Sequence, residues 1–297
     1  MEGLIVKNIS DLYVVKSNDK YYNCKAKGLF RKEKLVPTVG DKVIFDENKN
    51  IITNILERKN ILVRPPVSNI DQAFIVMSSI NPTFSTYLVD KLILMTEANN
   101  IEPVLIITKV DLNDELDNYI NYYRNIGYKV IKNNDLSSIK ELLKNRITVI
   151  TGQSGVGKST LLNRLDNNLS LKTNEISMSL GRGKHTTRHT EIFEINDGYI
   201  VDTPGFSSLY LNLNKEIIRD NMIEFNKYKD KCKYRDCMHI NEDECEIKNL
   251  VEQGIILKTR YENYIKFISE IKSIYWCSFI KKENYGKNFS ILTISKR

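Results

Sequence analysis

The stretch RITVITGQSGVGKSTLL, residues 146–162, constrains this chain more than any other. Ile147–Thr151 reads as a buried strand and Lys158–Leu165 opens a helix. Between them Gly152-Gln153-Ser154-Gly155-Val156-Gly157-Lys158-Ser159 fits the phosphate-loop pattern G-x-x-x-x-G-K-[ST]. Glycines let successive backbone N–H groups turn inward on phosphate oxygens, and the helix start adds a favourable dipole. In that role Lys158 reaches the β/γ oxygens, Ser159 holds Mg²⁺, and Thr160 completes the binding stretch. The loop by itself does not separate a GTPase from an ATPase or a kinase.

Three further segments do. Asp202-Thr-Pro-Gly205 follows the strand-like YIV, where a carboxylate reaches Mg²⁺ through water and a glycine N–H senses the γ-phosphate. Thr108-Lys109-Val-Asp111 closes the run PVLIITKVD, where Asp111 accepts both guanine N–H donors and rejects adenine. Thr186 and Thr187, in GRGKHTTRHT, lie between the phosphate loop and DTPG, the place of a catalytic switch threonine, and Thr187 is the expected third Mg²⁺ contact beside Ser159 and Asp202. Together they predict a GTP site. The order is inverted, however: an ordinary GTPase has its phosphate loop first and its guanine reader last.

The periodicity predicts three units. Residues 1–65 read as five short strands separated by turn residues (GLIVKNIS, LYVVKSND, KYYNCKAKGL, DKVIFDEN, NIITNILERK), as in an OB barrel. Tyr21, Tyr22, Phe30, Arg31 and Lys32 interleave aromatic and basic residues, a combination that stacks on single-stranded RNA or, more plainly, packs the barrel. RPPVSN at 64–69 is the expected linker. Residues 66–208 alternate apolar strands with helix-length segments, the pattern of a mostly parallel α/β sheet. Residues 209–297 are expected to be mostly helical, with a long helix from about 248 to 275 and a tail of unassigned form.

The chain has 44 Lys/Arg against 37 Asp/Glu, and the excess is at the ends. Residues 1–65 hold 13 against 8 and residues 250–297 hold 9 against 4, while the middle holds 22 against 25. Two basic ends suit a grip on a polyanion, although a lysine-rich composition also accounts for them. No apolar run approaches a membrane span and the start lacks the form of a signal peptide, so a cytoplasmic, membrane-free location is expected.

Three of the five cysteines fall in Cys232-x4-Cys237-x-His239-x5-Cys245. Three thiolates and one imidazole within 14 residues predict a closed, four-coordinate structural zinc site. Lys231, Lys233 and Arg235 around it favour thiolate formation and present charge to RNA. Cys24 and Cys277 read as packing residues.

In this order TKVD, GQSGVGKS, GRGKHTT, DTPGF and the cysteine pattern, with VGDKV, RPPVSNIDQAFIV and RYENY, resemble the circularly permuted family called ribosome small-subunit-dependent GTPase A. The resemblance runs from the start to about residue 270. It implies an N-terminal OB domain, a central GTPase, a C-terminal zinc domain, and GTP hydrolysis during late maturation of the small (30S) ribosomal subunit, with 16S rRNA as partner and a monomeric chain. Three departures stand out. Thr108 replaces an asparagine, which removes a side-chain amide near the base. The segment VIKNNDLSS has no clear Ser-Ala, leaving Asn133 or Ser137 to support guanine. NEDEC lacks a proline before the last cysteine.

Phe206 follows DTPG where many GTPases have a water-orienting glutamine, so slow intrinsic hydrolysis is expected. His185 is a candidate for orienting water, with His189 and a purely RNA-contacting role as alternatives. The inverted order places DTPGF at the edge of the GTPase unit, so switch II runs directly into the zinc unit and the opposite cut end receives the barrel. A switch movement is then expected to shift one arm relative to the other. An RNA-binding module that uses nucleotide only for stability, and a kinase, are the competing classes.

Overall fold

The computed structural model describes residues 1–28, 30, 35–63, 66–110, 116–166, 192–202 and 213–284, with the backbone alone for Val63, Asp202 and residues 272–284. The five predicted N-terminal strands are β1 (Glu2–Ile9), β2 (Leu12–Ser17), β3 (Lys20–Ala26), β4 (Lys42–Asp46) and β5 (Ile51–Ile55). They close as β1-β2-β3-β5-β4. Alternation drives closure: Tyr13 and Val15 of β2 point inward onto Ile5, Cys24, Val43, Phe45 and Ile52, while Lys16 points outward. Ser10, Asn18, Asp19 and Asn50 take the left-handed turn positions that short polar side chains tolerate.

The interior claims two residues offered for RNA. The Tyr22 ring packs 4.9 Å from that of Phe45, and Phe30 is 5% exposed. Tyr21, on the other face of β3, is 60% exposed. Arg31 and Lys32 lie outside the described residues.

Residues 66–69 of the expected linker belong to a structured joint. β6 (Ile61–Val63) and β7 (Pro66–Ser68) pair antiparallel. Proline is admitted because it begins an edge strand and gives up no needed donor. Gly40, at φ +91°, lies so close to this joint that a Cβ would meet Ser68 O at 2.1 Å. Beside it the buried Asp41 carboxylate accepts from Arg58 Nε, Arg58 Nη2, Ser68 Oγ and Thr38 N at 2.6–2.7 Å. VGD and PVSN are thus two halves of one joint, and Val39, Leu62, Val67 and Ile70 make the barrel core continuous with the next domain.

That domain contains β8 (Gln72–Ser78), α1 (Thr86–Glu97), β9 (Glu102–Thr108), α2 (Asp117–Asn125), β10 (Lys129–Lys132), α3 (Leu136–Leu143), β11 (Ile147–Thr151), α4 (Lys158–Leu165), β12 (Ile192–Ile195) and β13 (Gly198–Asp202). The sheet order is β10-β9-β8-β11-β13-β12, parallel except for β12. All seven residues of β8 are buried, as a strand covered on both faces requires. The antiparallel edge strand β12 was not expected. Its signal is EINDGYI: Asn196 and Asp197 both have positive φ, forming the two-residue hairpin turn for which such residues are suited.

Beyond it come α5 (Lys215–Asp220), α6 (Ile223–Tyr228), α7 (Glu246–Glu252) and α8 (Lys258–Asn284). The single helix expected over 248–275 is therefore two, parted by a turn in which Gly254 has φ +72°. The longer one continues to residue 284. Ile218, Met222, Phe225, Ile247, Leu250, Tyr264 and Phe267 form a second core that includes Leu94 and Met95 of α1. At this junction Arg260 is 1% exposed and donates to Asp90 Oδ1 and Glu224 Oε1, both at 2.7 Å. Asn263 Nδ2 and Tyr123 Oη also donate to Asp90, so the carboxylate is satisfied without water. No helix among the described residues is long and apolar enough to cross a membrane.

Candidate functional site

Two segments separated by more than 40 residues in sequence meet at the C-terminal edge of the sheet. β11 ends in the loop Gly152–Gly157, and β9 ends in Thr108 and Lys109. Gly152 has φ +145°, and a Cβ there would meet Val76 O of the neighbouring strand at 2.1 Å. Gly155 and Gly157 also have positive φ, which turns the loop back toward the start of α4. Val156 is buried and anchors the loop to the core, whereas Ser154 and Thr160 are exposed. Lys158 Nζ lies within the loop's curve, donating to Gly152 O and Gln153 O at 2.7 Å. Ser159, in the first turn of α4, is 9% exposed. A helix start preceded by such a loop presents convergent N–H groups suited to phosphate.

Thr108 binds this loop. Its hydroxyl donates to Val156 O at 2.7 Å, and the side chain is 3% exposed. The residue read as a lost amide near a base is therefore a brace between the two motifs. Lys109, at φ +57°, places Nζ 3.4 Å from Gly155 O and against Ile80 O and Asn81 O. Ser79 supports the same turn by donating to Lys109 O. Next to it, Asn133 follows β10 and its backbone N–H donates to Ile107 O at 2.9 Å. Ser137 is engaged elsewhere, donating at 2.8 Å to Asp135, the N-cap of α3.

β13 runs parallel to β11 with Asp202 opposite Ile150, which aligns the start of DTPG with the strand that leads into the loop. Asp111, His185, Thr186, Thr187 and Gly205 lie outside the described residues, as does the Asp202 side chain.

A second site lies in the C-terminal unit. The ligand atoms of Cys232, Cys237, His239 and Cys245 all fall within 4.8 Å of one another. His239 Nδ1 is 3.3 Å from Cys245 Sγ and 3.6 Å from Cys232 Sγ, and those sulfurs are 4.0 Å apart. A tetrahedral zinc ion with bonds of about 2.0–2.3 Å has donor edges of roughly 3.3–3.8 Å, a range that the two His239–Cys distances meet and the wider spacings exceed. Burial lowers His239 to about 4, keeping it in the neutral form that binds metal, and raises Cys237 to about 12. Crowded, buried thiols of this kind become thiolates only with a cation to neutralise them. The four residues could hold a zinc ion.

The motif RYENY explains itself here. Tyr261 and Tyr264 hydroxyls donate to His239 O and Met238 O at 2.7 and 2.6 Å, while Arg260 and Asn263 hold Asp90 of α1. One turn of α8 thus clamps the cysteine loop on one side and the GTPase domain on the other. Glu242 accepts from Met238 N and Ile240 N at 2.8 Å, shaping the loop from within. The sequence showed RYENY as a motif but not its partners, which lie 22 to 173 residues away.

Residues 55–212 match the RsgA GTPase family and residues 2–53 the RsgA N-terminal domain. The small ribosomal subunit biogenesis GTPase RsgA of Geobacillus sp. (strain WCH70) is 46% identical over 91% of this chain and 97% of its own length. RsgA 2 of Listeria monocytogenes serovar 1/2a is also 46% identical, over 92% and 98%. Among solved structures, the circularly permuted GTPase YloQ superposes with a TM-score of 0.77 at 36% identity, covering 92% of this chain and 95% of its own. YjeQ from Thermotoga maritima gives 0.77 at 35% identity, covering 91% and 97%.

Proposed function

Because the chain belongs to the RsgA family of GTPases, we propose that it hydrolyses GTP in late maturation of the small ribosomal subunit. It binds the 30S particle through 16S rRNA in its GTP form and leaves after hydrolysis. The observation that carries this reading is the brace from Thr108 Oγ1 to Val156 O, which fixes a guanine-type motif beside a phosphate loop.

The roles are assigned from the order of the motifs in the sequence. Gly152–Thr160 surrounds the phosphates, Lys158 meets the β/γ oxygens, and Asp111 reads guanine from the turn that Thr108 and Lys109 hold. Asn133 is the better placed of the two candidates for the far side of the base. Ser159, Thr187 and Asp202 would hold Mg²⁺, which offsets phosphate charge when bound. Gly205 senses the γ-phosphate. With Phe206 unable to position water, His185 takes that role once the subunit binds. The zinc held by Cys232, Cys237, His239 and Cys245 is structural. The working units are residues 1–65, 66–208 and 209–297 in a cytoplasmic monomer.

Phosphate release from GTP and ATP, with and without purified small and large subunits, tests the assignment. GTP turnover stimulated by small subunits alone is expected. Asp111→Asn should weaken GTP and admit xanthosine triphosphate; unchanged GTP affinity in that variant would move the guanine site elsewhere.

A further inference from the structure

The barrel and the β12–β13 hairpin touch through two facing cross-strand pairs. On the barrel, Lys16 of β2 stands directly opposite Tyr21 of β3. On the hairpin, Glu194 of β12 stands directly opposite Tyr199 of β13. Lys16 Nζ donates to Glu194 Oε2 at 2.5 Å, and the Tyr21 hydroxyl donates to the same oxygen at 3.4 Å. The ammonium also lies 5.7 Å from the centroid of the Tyr199 ring. Its side chain is 12% exposed, against 47% for Glu194. Asp19, 3.7 Å away, is 98% exposed and contributes little. Burial draws the ammonium down, but Glu194 and Tyr199 outweigh it and hold Lys16 above the usual lysine range.

An ammonium beside an exposed aromatic ring is a combination that takes a nucleic-acid backbone. Here its anion is a carboxylate of the GTPase domain itself. We propose that this contact is an autoinhibitory latch: Glu194 holds the place on Lys16 and Tyr21 that a phosphodiester of the small subunit's RNA takes. RNA binding there frees the hairpin.

The hairpin is well placed to matter. β12 is the edge strand of the sheet, paired with β13 on one side, and β13 delivers Asp202 to the nucleotide edge. The chain entering β12 carries GRGKHTT a few residues earlier. Glu194 and a phosphate exclude each other on one ammonium. In an autoinhibitory latch the latched hairpin is the slower form, so RNA that displaces Glu194 from Lys16 stimulates turnover. This inference rests on the small subunit being the partner.

The test measures phosphate release without and with purified small subunits. Glu194→Gln should raise the subunit-free rate about fivefold, equivalent to about 1 kcal/mol, with affinity for a non-hydrolysable GTP analogue unchanged. Lys16→Glu should raise it similarly. The double exchange Lys16→Glu/Glu194→Lys should rebuild the pair and restore the slow rate, while small-subunit stimulation drops because the barrel face is now acidic. If small subunits stimulate wild type and Glu194→Gln keeps the wild-type basal rate, the latch is wrong and the functional reading stands. A double exchange as fast as the single variants also overturns the latch. A wild-type enzyme that small subunits do not stimulate overturns both.

Discussion

The GTPase domain carries a neighbour on each flank, and the two are attached differently. On the C-terminal side, Arg260, Asp90 and Glu224 are buried together, with the Arg260 guanidinium over the Tyr123 and Tyr128 rings. On the N-terminal side the barrel is fixed at its joint through Asp41 and Gly40, and its outer contact with the sheet includes the pair of Lys16, 12% exposed, with Glu194, 47% exposed. A buried charge network is strongly disfavoured from opening, because each separated ion would need water. A pair whose carboxylate is half open to water exchanges with solvent or another anion at smaller cost. Under the proposed latch, the C-terminal unit travels with the GTPase domain and the Lys16–Glu194 contact is the one that lets go.

Four measurements test this contrast, from the largest effect downward. Metal removal should be nearly all-or-none for the C-terminal unit. Chelation, or Cys237→Ser, should abolish about one bound zinc per chain and lose the ordered loop around residues 229–245, while GTP binding persists. Loss of GTP binding as well would mean that the clamp of α8 makes the two units fold together.

Arg260→Met should come next, destabilising the full chain by about 3–5 kcal/mol in chemical denaturation, because Asp90 and Glu224 remain buried without their cation. A change below about 1 kcal/mol would place this junction in the same class as the barrel contact.

Glu97 supplies a third test through pH. Burial first, with Glu224 adding to it, raises its carboxyl from 4.5 to about 7, against the opposing effects of Tyr128 and Arg260. Below the unfolded value both states hold the proton. As pH rises toward the folded value, the unfolded chain releases a proton that the native state retains, so stability from this group falls. The loss reaches about 3 kcal/mol above neutrality. Glu97→Gln should therefore stabilise the protein at pH 8 and leave it unchanged near pH 4. Equal effects at both pH values would contradict the assignment.

The smallest effect belongs to the barrel contact. Glu194→Gln should change global stability by less than about 1 kcal/mol, and added salt should reduce even that. A larger, salt-insensitive loss would show that the outer contact is as firmly built as the C-terminal junction.

The strand, glycine loop and helix start of the phosphate-loop segment were legible because they occupy consecutive residues, while Asp111, Thr187 and Gly205 lie outside the described residues. The four candidate metal ligands were legible for the same reason, lying within 14 residues. Aromatic residues of the barrel were not, since β3 alternates and only the closed barrel decides which face is inside. Tyr21 points out and Tyr22 packs on Phe45, although they are neighbours in the chain.

Composition and motif order determined the classes of unit, the phosphate loop, the guanine-type turn and the metal-ligand set. Tertiary structure decided that Thr108 braces Val156, that Gly40 and Ser68 form one joint, that Arg260 meets Asp90 across 170 residues, and that Lys16 meets Glu194 across 178. Each of these depends on a partner's placement, and a hydrogen bond or ion pair has no periodicity by which a chain announces the distant residue that completes it.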